Sequence, residues 1–177
     1  MLDEPGRDLL ERFVQGDQVA FESLFRLFQI EVFQWVFRIV RDASAAEDVV
    51  VETFWRAYRG RARFDSSRSF GAWLRRIATN AALDHLRTTR RGWRTGQMSR
   101  EVPAPAGSDP AIVDAVARAF RTLPPRLKVV ATLALIEERP LAEIAEALDV
   151  PVGTVKSRVF RAVRALRTEL RRLGVRP

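Results

Sequence analysis

The stretch RPLAEIAEALDVPVGTVKSRVFRAVRALRTEL, residues 139–170, constrains the fold of this chain more than any other. Leu141, Ile144, Ala145 and Leu148 recur at i, i+3, i+4 and i+7 and share one face of a short helix. Asp149-Val150-Pro151 breaks the pattern, and proline is tolerated at a first helical position, so a second helix begins at Pro151. Its apolar stripe is Val155, Val159, Ala162, Val163, Leu166 and Leu170. Two helices joined by so short a turn make a helix-turn-helix. Opposite the stripe the wheel places Ser157, Arg161, Arg164, Thr168 and Arg171, with Lys156 and Phe160 on the shoulder. Cations and hydroxyls along one face suit a helix in the DNA major groove, where they reach phosphates and base edges. A solvated basic helix closing a bundle is the competing reading, and the preceding helix and turn tip the balance toward DNA.

The chain has 177 residues, room for one ordinary domain or two small ones. It has no cysteine, which excludes disulfides and thiolate metal sites and fits a reducing cytoplasm. The most apolar window, residues 21–40, is interrupted by Glu22, Arg26, Glu31 and Arg38 and is too charged for membrane insertion, and the polar, acidic start has no secretory apolar run. A cytoplasmic protein without metal or cofactor is expected. The net charge of +8 is unevenly spread. Residues 1–58 carry 6 basic and 11 acidic side chains, residues 59–100 carry 11 and 2, and residues 101–177 carry 13 and 9. Such a division implies a polyanion partner for the middle and end and a different partner for the beginning.

Residues 7–41 read as two helices broken near Gly16-Asp17, with Phe21, Leu24, Phe25, Phe28, Val32, Trp35, Val36 and Ile39 at core spacing. Asp42-Ala43-Ser44 offers a cap, with Glu47 three residues after Ser44 as in a capping box, for a third helix running from about Ala45 to Tyr58. On that helix Val50, Phe54 and Ala57 should face the core, while Asp48, Val51, Glu52 and Trp55 gather on another side. Two carboxylates beside an apolar residue and a tryptophan have the composition of a protein-binding patch, or of a tryptophan covering the core beside solvated acids. A basic Gly/Ser/Asp loop, residues 59–69, leads to a helix from about Ser69 to Thr89. Its core side is Phe70, Trp73, Leu74, Ile77, Ala78, Ala81 and Leu86, and its other side Arg75, Arg76, Thr79, Asn80 and Arg87. An arginine-rich helix with aromatics close by can track a nucleic-acid backbone and stack unpaired bases, or can simply present a solvated face, and the density of positive charge over residues 59–100 favours the first.

Residues 92–110 hold three glycines and three prolines with no helical period, and read as a flexible linker. Two helices, residues 111–122 and from Pro124-Pro125 to about Ile136, precede the helix-turn-helix and complete a four-helix unit. The expected architecture is all-α: domains 1–91 and 111–177 joined by linker 92–110.

The whole arrangement resembles an extracytoplasmic-function sigma factor of the sigma-70 family. AEDVVVETFWRAY (46–58) is similar to that family's core-binding motif, FGAWLRRIATNAALDHLR (70–87) to its promoter-melting segment, and LPPRLKVV with LAEIAEALDVPVGTVKSRVFRA to its upstream-element reader. The resemblance implies two helical domains, sigma region 2-like and region 4-like, with core RNA polymerase, duplex promoter DNA, the melted non-template strand and an anti-sigma factor as partners. It implies polymerase contacts at Asp48, Val51, Glu52 and Trp55. Contacts to the opening downstream element are implied at Trp73, Arg75, Arg76, Asn80 and Arg87, and at a base-capturing loop that includes Arg61, Arg63, Phe64 and Asp65. Upstream-element contacts are implied at Thr154, Lys156, Ser157, Arg158, Phe160 and Arg161. Two positions depart from the family's pattern: Val51 stands where glutamine is frequent, and Pro140 where a capping serine is common.

An enzyme finds little support: His85 is the single histidine, on an arginine-rich helix, and no phosphate-cradling glycine loop or acid pair with a base is visible. A stand-alone helix-turn-helix regulator that never meets polymerase is the other alternative, and it leaves the acidic face at Asp48–Trp55 without a purpose.

Overall fold

Apolar side chains spaced three to four residues apart can be buried only if the backbone coils and the stripes meet, and each element follows from that requirement. The computed structural model describes residues 5–92 and 109–175, all helix, turn or irregular chain. The helices are α1 (Arg7–Val14), α2 (Gln18–Val40), α3 (Ala43–Gly60), α4 (Phe70–Gly92), α5 (Pro110–Thr122), α6 (Pro125–Ala131), α7 (Leu141–Leu148) and α8 (Val152–Arg172). They fall into two compact units, Met1–His85 with Glu146–Asp149, and Leu86–Ala145 with Val150–Pro177. Most of the expected linker, residues 93–108, lies outside the described residues.

In the first unit α1 ends where Gly16 takes a left-handed conformation, φ 91°, and the amides of Gly16 and Asp17 return to the carbonyls of Phe13 and Arg12. Asp17 then caps α2: its carboxylate accepts from the amides of Val19 and Ala20 at 2.8 and 3.2 Å. Leu24, Phe28, Val32, Trp35, Val36 and Ile39 of α2 are buried, as their spacing predicts. They meet Ala46, Val50, Phe54 and Ala57 of α3 and Phe70, Leu74, Ala78 and Ala81 of α4, all buried. Rings dominate the core: Phe25 meets Phe54 at 4.7 Å, Phe28 meets Phe70 at 5.2 Å, and Phe13 meets Phe70 edge-on at 5.6 Å.

One local expectation is narrowed and one corrected. The cap of α3 is Asp42, whose Oδ1 accepts from the Ala45 amide at 2.9 Å. Ser44 lies inside the first turn because left-handed Arg41, φ 59°, turns the chain in a single residue. Thr79, assigned to the outer side of α4, is fully buried: its hydroxyl accepts from the Trp35 indole and donates to the Arg75 carbonyl.

In the second unit Asp109 caps α5 by accepting from the Ala111 amide. Ala119 and Leu123 of α5's end, Ala131, and Ala162 and Leu166 of α8 form the core, flanked by Phe120, Leu127 and Leu170. The helix expected to reach Ile136 is α-helical only to Ala131; residues Thr132–Ile136 widen into a π-helical turn that ends at left-handed Glu138. Between α7 and α8, left-handed Asp149 and the bonds Asp149 N–H to Glu146 O and Val150 N–H to Ala145 O close α7. Pro151 then supplies the carbonyl that receives the first amides of α8.

Candidate nucleic-acid interface

The α8 surface separates by burial as its wheel requires. Val155, Ala162 and Leu166 are buried, whereas Lys156, Ser157, Phe160, Arg161, Arg164, Thr168 and Arg171 are exposed. Phe160 is 68% exposed, a large ring held in solvent. Arg161 is steadied along the helix by Ser157, through the carbonyl at 3.3 Å and the hydroxyl at 3.5 Å. Thr154 and Arg158 are half-buried. Burial, then the positive charges of Arg126 and Arg161, pushes the Arg158 guanidinium below its ordinary pKa. That crowding of cations on neighbouring helices suits a phosphate-bearing ligand, and Arg126 was not among the expected site residues. It lies within LPPRLKVV, but only the packing of α6 on α8 brings it beside Arg158.

α4 and the loop before it are sorted differently from the expectation. Asn80 and Arg87 are exposed and Arg76 half-exposed. Arg75 is tied back to α2, its guanidinium 2.8 Å from Glu31, with both side chains about one-quarter exposed. Trp73 is half-buried, its ring 4.9 Å from Phe64 and 5.6 Å from Phe70. Phe64 itself is 6% exposed and anchors the loop from beneath. Arg61 opens a 3-10 turn, Arg61–Arg63, and is half-buried: it donates to the Tyr58 carbonyl at 2.8 Å and lies over the Tyr58 ring at 4.4 Å. Arg63 and Asp65 are exposed. The Asp65 carboxylate accepts from the Ser67 hydroxyl at 2.7 Å and its amide at 3.0 Å, and these bonds, with Arg68 nearby, hold it below the usual carboxylate range.

On α3 the structure keeps Asp48, Val51, Glu52 and Trp55 together and exposed, with Val51 67% and Trp55 55% accessible. Arg56 binds Glu52 at 2.7 Å and Asp84 of α4 at 2.9 Å, and the two carboxylates raise its pKa. Sequence reasoning passed over Arg56, although its i+4 spacing from Glu52 signals the first of these pairs. Among the described residues no cluster of potential metal ligands occurs, and no helix is long and apolar enough to cross a membrane.

Comparison with known proteins finds a match for both halves of the chain. The sigma-70 region 2 model matches residues 24–92 and the sigma-70 region 4 model residues 114–166. SigW of Bacillus subtilis strain 168, an ECF RNA polymerase sigma factor, is 32% identical over 182 residues, spanning 93% of this chain and 96% of its own. The ECF RNA polymerase sigma-E factor of Escherichia coli K12 is 34% identical, covering 89% and 90%. Among solved structures CnrH, in complex with the cytosolic domain of CnrY, has a TM-score of 0.58 at 27% identity and covers 93% of this chain and 96% of its own. The sigma factor RpoE of Bartonella quintana shares the fold, at a TM-score of 0.56 and 21% identity over 85% of this chain and 96% of its own. With both helical units matched in order, the chain belongs to the extracytoplasmic-function RNA polymerase sigma factors of the sigma-70 family.

Proposed function

We propose that this sigma factor divides its work between residues 1–91, which bind core RNA polymerase and open the promoter, and residues 111–177, which read the upstream element, with residues 92–110 as linker. The observation that carries the reading is the pairing, on one chain, of an exposed acidic and aromatic patch on α3 with a bare cationic face on α8. A stand-alone regulator needs only the second.

Asp48, Val51, Glu52 and Trp55 dock on polymerase, with Trp55 and Val51 as the apolar anchors and the two acids meeting basic groups. Lys156, Ser157, Phe160 and Arg161 contact base edges in the major groove, while Thr154, Arg158 and Arg126 hold phosphates and fix the register. Arg63, Asp65, Arg76 and Asn80 of the first unit, and Arg87 further along α4, are the groups accessible to the opening strand. Arg61, Phe64, Trp73 and Arg75 act largely by holding that surface in shape, since each is packed or paired within its own unit. Unstacking a base costs a few kcal/mol, which capture of the flipped base offsets, so this subunit needs no fuel for melting. CnrH and the Bartonella factor were each solved with a bound partner, an anti-sigma factor in the second case. An anti-sigma factor covering the same faces is accordingly the expected regulator here, in the cytoplasm.

The test is binding of the full chain to purified core RNA polymerase, with Glu52→Arg as the probe. Loss of binding by the variant with retained duplex DNA affinity supports the assignment. Unchanged polymerase binding refutes it.

A further inference from the structure

Of the two acids on the exposed face of α3, Glu52 is held in place by its own chain. Its Oε1 accepts from Arg56 Nε at 2.7 Å, and Nη1 of the same guanidinium donates to Asp84 Oδ2 on α4 at 2.9 Å. Glu52 and Arg56 stand one turn apart with the acid on the N-terminal side, the orientation in which such a pair is most favourable on a helix. Asp84 follows Arg56 by 28 residues, so the second bond is a tertiary one. A guanidinium is planar and its donors are fixed relative to one another, so Asp84 sets the plane in which Arg56 presents Nε to Glu52. Asp48, the other acid, is not a partner of Arg56.

We propose that Arg56 is a positioning residue for polymerase binding: bridged to Asp84, it holds the Glu52 carboxylate in the geometry in which that carboxylate meets a cationic group of core RNA polymerase. The inference rests on the proposed role of Glu52 as a polymerase contact. Arg56 takes Oε1 alone, which leaves Oε2 to accept from the polymerase. Two effects of Arg56 oppose each other. Its charge reduces the pull of Glu52 on an incoming cation, whereas fixing a long side chain in advance removes an ordering cost from association. The Glu52 and Arg56 side chains are 47% and 37% exposed, so water and salt screen the charge effect and the ordering effect decides. Arg56 thereby gives Glu52 a rigidity that an exposed position on α3 does not supply, and ties the docking face to α4.

The experiment measures the affinity of the full chain for core RNA polymerase, by competition with a labelled wild-type chain, in a double-mutant cycle of Arg56→Met and Glu52→Ala, with thermal unfolding of each variant alongside. Methionine keeps much of the arginine stem without its charge. Arg56→Met is expected to weaken binding about fivefold, the scale set by ordering one long side chain, and to have almost no effect once residue 52 is alanine. Asp84→Asn leaves Arg56 in place and loosens its anchor, and should give a smaller loss in the same direction. Combined with Asp48→Ala, the Arg56→Met loss should be additive, since Arg56 does not hold Asp48. Equal losses in the two residue-52 backgrounds would mean that Arg56 acts on the fold, and unchanged or tighter binding by Arg56→Met would mean that its charge outweighs its positioning; either overturns the inference and leaves Glu52 as a contact. If Glu52→Ala itself binds polymerase as wild type does, the underlying assignment fails, and this inference with it.

Discussion

The Trp35 indole N–H donates to the Thr79 hydroxyl at 2.9 Å, joining α2 to α4 across 44 residues of sequence inside the core. Removing the hydroxyl while keeping the volume strands a buried donor. Thr79→Val is expected to cost about 1–3 kcal/mol in urea unfolding, and Thr79→Ser much less. A valine variant within about 0.5 kcal/mol of wild type would remove this bond from the account.

Gly16 meets two demands at once. Its φ of 91° disfavours any side chain, and an added Cβ would lie 3.0 Å from the Arg61 guanidinium. Gly16→Ala should lose roughly 1–2 kcal/mol, mainly from the backbone conformation. Arg61→Ala in the same background should relieve the contact and leave most of the loss, which thermal unfolding of the two variants can separate.

The Asp17 carboxyl lies below its ordinary pKa, first because Arg12 hydrogen-bonds to it and then because the α2 amides do. A depressed folded pKa stabilises the fold fully above the unfolded value of about 3.9 and loses that contribution as pH falls through the folded value. Asp17→Asn keeps a capping oxygen without the charge. Wild type should therefore be the more stable of the two at pH 6, with the difference shrinking toward pH 3; a difference independent of pH would contradict the ion pair's role.

On α3, Trp55→Ala and Val51→Glu alter exposed side chains. Both should leave the melting temperature nearly unchanged and weaken binding to core polymerase by at least tenfold, measured by competition with a labelled wild-type chain.

What the sequence alone makes legible is whatever repeats locally. The Leu141 to Leu148 and Val155 to Leu170 stripes, the break at Gly16-Asp17 and the exposed set Asp48, Val51, Glu52 and Trp55 all follow from spacing along one helix. A wheel, however, treats every polar residue off the apolar stripe as solvent-facing. It cannot see that Trp35 waits inside for Thr79, that Glu31 turns Arg75 back toward α2, or that Tyr58 and Gly16 form a seat for Arg61. Phe64 was placed in a basic loop by its neighbours in sequence and lies beneath that loop because Phe70 and Trp73 are there to receive it. These are long-range partners, and spacing along a single helix does not announce them.

The most direct measurement of the central claim is to mix the purified chain with core RNA polymerase and a library of random promoter DNA, then sequence the 5′ ends of the transcripts. The account predicts start sites that share two spaced elements, the upstream one altered by Arg161→Ala and the whole activity abolished by Glu52→Arg. Tight duplex binding without initiation, or initiation untouched by Glu52→Arg, would contradict it.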